Sequence, residues 1–231
     1  MRVLPLSEVE GLPAHNMLIM NDENGNTGLI GKRIKQISIF GFADAQRDDP
    51  LYKEAYEVAQ VLAQNNIVVI DGGGPGVMRA ASEGAKAVGG KTIGVTMYPK
   101  DIALFEGRDQ ENPLDQEVVT QNYLERTLKL LELGDAYIVF KGGTGTISEF
   151  GMAWGLARLY FGHHKPLILY GKFWEEIIAS FTRGMRIRPE ELKVYRIVTT
   201  PSEVLDTLEI FEEILSHEEH QISDGEKAFQ L

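Results

Sequence analysis

From residue 37 onward the chain alternates short apolar runs with longer stretches of helical periodicity, and this alternation restricts the fold more than any other property of the sequence. The runs at 37–40, 67–70, 92–97, 136–140, 167–170 and 195–198 are rich in Ile, Val, Leu and aromatic residues, as strands covered on both faces require. Between them, 50–64, 77–88, 123–133, 146–160, 173–183 and 202–215 read as helices, with a polar loop at 99–116 and a short extended piece at 117–120. Strand then helix, repeated, predicts a Rossmann-like α/β fold: a doubly wound parallel sheet with helices on both faces.

With 231 residues, 43% of them hydrophobic and 25% charged, the chain can build one substantial core. The pattern divides it into an N-terminal extension (1–33), a Rossmann-like nucleotide-binding or catalytic domain (34–216) and a flexible polar tail (217–231). A net charge of −11 argues against nucleic acid or an anionic membrane as the partner, since either needs a positive field. The absence of cysteine excludes disulfides, thiolate metal sites and thiol catalysis. Residues 1–8 lack the apolar core of a secretory signal and no apolar run reaches membrane-spanning length, so the expected location is the cytoplasm.

Two of the predicted strand-to-helix turns are rich in glycine. After the run ending at Phe140 comes Lys141-Gly142-Gly143-Thr144-Gly145-Thr146-Ile147-Ser148-Glu149, and after Ile70 comes Asp71-Gly72-Gly73-Gly74-Pro75-Gly76. Unpaired N–H groups and the positive end of a helix favour an anion, and glycines let it approach the backbone. Gly142, Gly143, Thr144, Gly145 and Thr146 are therefore the candidate phosphate anchor, with Gly73, Gly74 and Gly76 as a second wall. One such turn is equally well explained as a tight turn; two in one sheet favour a shared ligand at the carboxyl ends of the strands. Glu149 is expected on the first helical turn, facing the same opening. A carboxylate beside a phosphate is repelled by it, which suits a role at the hydroxyls or reacting carbon of a phosphorylated sugar.

Other motifs fail. Gly89-Gly90-Lys91-Thr92 runs from helix into strand, the reverse of a P-loop, and Ala85 stands where its first glycine belongs. The strand ending near Met97 offers no acidic residue for an adenosine ribose, which disfavours NAD. Asp22, Asn24 and Asn26 start like a calcium loop, but Thr27 and Arg33 occupy its glycine and final ligand positions. His217 and His220 have the wrong spacing for a zinc protease, and His163-His164 reads as a helix-terminus cap. Neither a metal site nor a cofactor is expected.

These residues resemble the LOG-type phosphoribohydrolases, whose hallmark is Pro-Gly-Gly-x-Gly-Thr-x-x-Glu. Gly142 to Glu149 fit it, with Lys141 in place of the proline; Gly72-Gly73-Gly74-Pro75-Gly76-Val77-Met78 and Glu125-Arg126 resemble further family motifs, and the similarity covers roughly 36–215. The resemblance implies cleavage of the N-glycosidic bond of a nucleoside 5′-monophosphate, purine or cytokinin-type, to free base and ribose 5-phosphate. It makes Arg126 and Glu149 the catalytic pair and implies a homodimer, to which Met152 to Leu156 and Leu159 to Phe161 would contribute an apolar surface. Glu149 would hold ribose hydroxyls or orient water, and Arg126 would bridge ribose or phosphate oxygens with its planar fork; on the residues alone, an ion pair of Arg126 with Glu125 or Glu132 on a solvated helix is as good a reading. Met97 or Tyr98 would line a base pocket or belong to the core. The sequence departs from the family at Lys141, at Gly41-Phe42-Ala43-Asp44 in place of a Gly-Ser-Ser-type turn, and at Thr127, where lysine is common. Each is expected to touch the site. Molybdenum-cofactor carrier proteins, a sister group on the same scaffold, give the alternative: a protein that binds a nucleotide-like ligand without hydrolysing it. The lysine-decarboxylase label that many relatives carry has no chemistry behind it here, because Lys141 and Lys91 lack a Schiff-base context.

Overall fold

The computed structural model describes residues 33–98, 108–162 and 164–218. Seven strands form one parallel sheet: β1 (Gln36–Phe40), β2 (Val68–Asp71), β3 (Thr92–Met97), β4 (Gln116–Thr120), β5 (Ala136–Val139), β6 (Leu167–Tyr170) and β7 (Tyr195–Val198), in the order β4-β3-β2-β1-β5-β6-β7. The helices are α1 (Pro50–Gln64), α2 (Val77–Ala87), α3 (Tyr123–Leu133), α4 (Thr144–Leu159), α5 (Phe173–Gly184) and α6 (Pro201–Glu218). The chain adopts the expected doubly wound α/β fold.

Local chemistry sets several boundaries. α1 starts where the Asp49 carboxylate accepts the Leu51 N–H at 2.9 Å and Pro50 takes the first helical position, where a missing N–H is harmless. α3 starts where Asn122 accepts the Glu125 N–H at 2.9 Å while Glu125 reaches back to the Gln121 N–H, also at 2.9 Å. One face of the sheet, with Ile37, Ile39, Val69 and Ile138, packs under α1, α2 and α6. The other, with Phe40, Ile70, Val95 and Val139, packs under α3, α4 and α5. Each such side chain contributes about 1.5–3 kcal/mol on burial. Ser38, inside β1, is satisfied by donating to the Leu130 carbonyl of α3 at 2.7 Å.

The strand order positions the site. From β1 the chain winds outward through β2 and β3 to β4, and α3 then carries it back to β5, on the other side of β1. The winding therefore reverses between β1 and β5, and the carboxyl ends of those two strands open a crevice there, the usual ligand position in such sheets.

Two elements differ from expectation. α4 begins at Thr144 rather than 146, because Gly143 serves as its N-cap, and α6 continues to Glu218, past 215. The extension at 1–32 with its calcium-like turn, the first half of the 99–116 loop (99–107), His163 and the tail at 219–231 lie outside the described residues. Among the described residues no helix is long and apolar enough to cross a membrane, and no group of three or more His, Cys, Asp or Glu could hold a metal ion.

Candidate active site

At the reversal point lies a cleft of about 160 Å³. Gly41, Phe42 and Ala43 wall it at the end of β1, and the first turn of α4 with Glu149 walls it after β5; Tyr123, Arg126 and Leu130 enter from α3, Gly72 comes from the β2–α2 connection and Met78 from the first turn of α2. The loop after β1 is held from two sides. Phe42 N–H donates to the Lys141 carbonyl at 3.1 Å, and Val77 N–H donates to the Phe42 carbonyl at 2.9 Å.

The N-terminus of α4 supplies the anion-binding part. Gly143 caps it without a side-chain hydrogen bond, so the N–H groups of Thr144, Gly145 and Thr146, which precede the first intrahelical bond, border the cleft uncapped by any side chain. A Cβ on Gly143 would meet nothing within 4 Å, and one on Gly145 would meet only the Tyr123 hydroxyl at 3.7 Å. Neighbouring atoms demand neither glycine; Gly145, inside the helix, costs about 1 kcal/mol relative to alanine, and the open space at both leaves the backbone accessible to a ligand. Gly142 is different. A Cβ there would stand 2.1 Å from Thr146 Oγ1, and Gly142 does not border the cleft; its part is to seat Thr146.

Thr146 and Glu149, three residues apart, share the buried face of α4. Because the helix starts early, Glu149 is on its second turn, not its first. The structure brings Glu149 to Arg126: Nη1 stands 3.9 Å from Oε1, with both side chains about nine-tenths buried. Burial pushes the Glu149 carboxyl up to about 7, with the Arg126 charge opposing that rise. Arg126 does not pair with Glu125 or Glu132 on a solvated surface. Its Nε donates to the Val95 carbonyl at 2.9 Å and its Nη2 to the Gly72 carbonyl at 3.0 Å. Two of its three nitrogens are thus engaged by backbone, which leaves Nη1, rather than a two-pronged fork, to face Glu149 and the cleft.

Most of the second glycine turn lies away from this cleft. Gly73, Gly74 and Gly76 do not border the cleft; Gly72 does. The turn follows β2, one strand removed from the reversal point, and its glycines answer to backbone geometry. Gly73 and Gly76 have φ of 69° and 63°, and a Cβ on Gly76 would lie 2.3 Å from the carbonyl oxygens of Phe42 and Ala43. Met97 is core, and neither it nor the exposed Tyr98 reaches the cleft. Of the three departures from the family pattern, only Gly41-Phe42-Ala43 borders the cleft; Lys141 reaches toward the Phe173 ring, and Thr127 is buried, bonding the Tyr123 carbonyl at 3.1 Å. Sequence reasoning missed Tyr123, whose hydroxyl meets Ser148 Oγ at 2.5 Å and the Gly145 carbonyl at 3.3 Å, fastening α3 to the first turns of α4. Its place three residues before Arg126, on the same helix face, was the available signal.

The chain is similar to known proteins. A cytokinin riboside 5′-monophosphate phosphoribohydrolase of Mycobacterium tuberculosis is 35% identical over 121 residues, 52% of this chain and 62% of that protein, so the chain spans under two thirds of that relative. An uncharacterised protein of Archaeoglobus fulgidus is 29% identical over 139 residues, 60% of this chain and 86% of that one. Among solved structures, the molybdenum cofactor binding protein of the phototrophic bacterium Rippkaea orientalis superimposes with a TM-score of 0.57 at 25% identity, covering 80% of this chain and 99% of that one. The phosphoribohydrolase relative and the family match bear out the LOG-type resemblance carried by residues 142–149. With the SLOG cluster4 family matching residues 34–187, which hold the whole cleft, the chain belongs to that family.

Proposed function

We propose that the protein hydrolyses the N-glycosidic bond of a nucleoside 5′-monophosphate, releasing the base and ribose 5-phosphate. The observation that carries this reading is the juxtaposition of an uncapped α4 N-terminus with a buried, facing Arg126–Glu149 pair in one cleft. The 5′-phosphate sits on the N–H groups of Thr144, Gly145 and Thr146, where helix dipole and donors coincide. The ribose then lies toward Glu149. As the base departs with the bonding electrons, positive charge grows at the anomeric carbon, and the Glu149 carboxylate stabilises it or orients the water that attacks there. Arg126 Nη1 holds a sugar or phosphate oxygen. Every step is acid–base or electrostatic work by the chain itself.

The family resemblance and the Mycobacterium tuberculosis relative's name support hydrolysis. The second reading, a carrier of a nucleotide-like ligand, is favoured by the likeness to a molybdenum cofactor binding protein over nearly all of that protein's length. Incubation with AMP and adenosine separates the two. Adenine from AMP, and far less from adenosine, supports the hydrolase and the phosphate anchor; tight AMP binding without adenine supports the carrier.

We also infer a homodimer built on α4. Of the surface expected from sequence, Met152, Trp154 and Leu156 are partly buried against the chain's own core, with Trp154 donating to the Glu191 carbonyl, while Leu159, Tyr160 and Phe161 are exposed. Leu159 ends an exposed stripe of Ile147, Gly151, Gly155 and Leu159, four residues apart, where a Cβ on either glycine would meet nothing within 4 Å. Two helix glycines without a reason inside the protomer, flanked by exposed apolar side chains, suit close packing against a second copy.

A further inference from the structure

Asp71, the last residue of β2, is completely buried and takes no part in the chemistry outlined above. Its carboxylate accepts three hydrogen bonds: from Gly73 N–H at 2.6 Å, from the Ser82 hydroxyl of α2 at 2.5 Å and from Asn112 Nδ2 at 3.3 Å. The bland account is a turn-closing carboxylate. Two features go beyond it.

The first is the peptide plane. Gly73 N–H and Gly72 C=O belong to one rigid trans peptide, so they point in opposite directions and move together. Asp71 grips the N–H side, and the carbonyl on the other side is the one that accepts Arg126 Nη2 at 3.0 Å. An anion on the N–H also polarises the peptide and makes its carbonyl a stronger acceptor. The second feature is that the neighbouring backbone groups are gripped as well. Asp109 N–H donates to the Gly73 carbonyl at 2.9 Å, and Asn112 Nδ2 donates to the Gly74 carbonyl at 2.9 Å. The peptides that follow are thus held from the 109–112 segment, which restricts reorientation of the Gly72 carbonyl.

We propose that Asp71 is a positioning residue of the nucleotide site, acting through the Gly72–Gly73 peptide to fix the Arg126 guanidinium with Nη1 turned to Glu149. The second glycine turn thereby serves the site indirectly, as a backbone bracket for the arginine instead of a ligand wall. The proposal rests on the nucleotide reading for its consequence in turnover, but its structural content does not.

The test has two arms. In protein labelled with ¹⁵N-arginine, the Arg126 side-chain N–H resonances, assigned by their loss in Arg126→Ala, are compared between wild type and Asp71→Asn. Displacement or broadening of the Arg126 signals is expected. Unchanged signals overturn the proposal whatever the activity. In the second arm, single-turnover adenine release from AMP is measured for Asp71→Asn, Arg126→Ala and the double variant. Asp71→Asn should slow release roughly tenfold, the size of one charge-assisted hydrogen bond, and should add nothing when Arg126 is already gone. An equal slowing in both backgrounds, or a lower Tm with release unaltered, overturns it. Should Asp71→Asn fail to fold, Asn112→Ala, which frees the Gly74 carbonyl, takes its place in both arms with a smaller effect of the same sign. If the wild type releases no base yet Asp71→Asn moves the Arg126 signals, the hydrolase reading falls and the positioning role stands.

Discussion

Arg126 Nη1 faces Glu149 Oε1 at 3.9 Å, too far for a direct hydrogen bond, in a buried setting where an ion pair gains most from close contact. The separation is built in. Arg126 is held by the carbonyls of Val95 and Gly72, on the β2–β3 side, and Glu149 by its place on α4, beyond β5. Neither group owes its position to the other. An arrangement that leaves two buried charges short of their best contact costs stability and leaves both with capacity for a ligand oxygen, which is the pattern of a site and not of a structural ion pair.

Replacing Glu149 by glutamine keeps its shape and removes its charge. If the carboxylate meets positive charge that exists only in the transition state, Glu149→Gln should lower adenine release from AMP by something on the order of a hundredfold. AMP affinity by calorimetry should be unchanged or better, since a charge repelling the phosphate is gone. Comparable losses in affinity and rate would place Glu149 in ground-state binding instead.

Gly72 offers a way to displace Arg126 without touching it. A Cβ at this position would lie 1.6 Å from Arg126 Nη2, the end of a flexible side chain that can swing aside. Gly72→Ala is therefore expected to lower both turnover and AMP affinity, as removal of the guanidinium in Arg126→Ala should, with some loss of Tm because the Val95 and Gly72 carbonyls lose their donor. Wild-type turnover in Gly72→Ala would show that the guanidinium's position is unimportant.

The α/β alternation, the boundaries of α1 and α3 and the glycine turn at 142–146 were legible because each depends on neighbours in sequence: Asp49-Pro50, Asn122 with Glu125, a strand running into glycines. That Gly41-Phe42-Ala43 touches the site was legible only as a departure from the family pattern, not from the residues themselves. It follows from β1 lying beside β5, a pairing between segments about a hundred residues apart that local periodicity does not encode. The second glycine turn is ambiguous for a related reason. The same local pattern serves a ligand, a positive φ or a close backbone contact, and the position of Phe42 and Ala43 over Gly76 supplies the last of these without any signal in the sequence. Arg126 and Glu149 were paired through a family motif, with one strand between their helices bringing both to the same edge of the sheet.

The dimer inference can be tested where misfolding is least a concern. Gly151 is exposed with open space around it, and leucine is the better helix former by nearly 1 kcal/mol, so Gly151→Leu should stabilise the protomer. If α4 packs closely on a second copy, the same substitution should turn a dimer into a monomer by light scattering at micromolar concentration. A wild type that is monomeric there, or a variant that remains dimeric, removes this surface from consideration.

The pH dependence of activity and of stability should run in opposite directions. Burial raises the Glu149 carboxyl from 4.5 to about 7 and the Asp71 carboxyl from 3.8 to about 6, the latter against the pull of Ser82, Gly73, Asn112 and Arg126. A carboxyl raised on folding holds its proton longer in the folded chain than in the unfolded one. Its stabilising contribution is complete below the unfolded value and is lost as pH climbs through the folded value. These two groups together therefore lower stability between about pH 4 and about pH 7. Turnover needs the Glu149 carboxylate and should rise across the upper part of the same interval, levelling above about pH 7. Thermal unfolding of wild type and Glu149→Gln isolates one group: the variant should gain on the wild type as pH increases from 5 to 8, because the wild type then carries a charge that burial disfavours. Rates that stay flat from pH 5 to 8, or a stability difference that does not change with pH, would mean that Glu149 titrates as an ordinary solvated carboxylate and is not the buried group on which the mechanism depends.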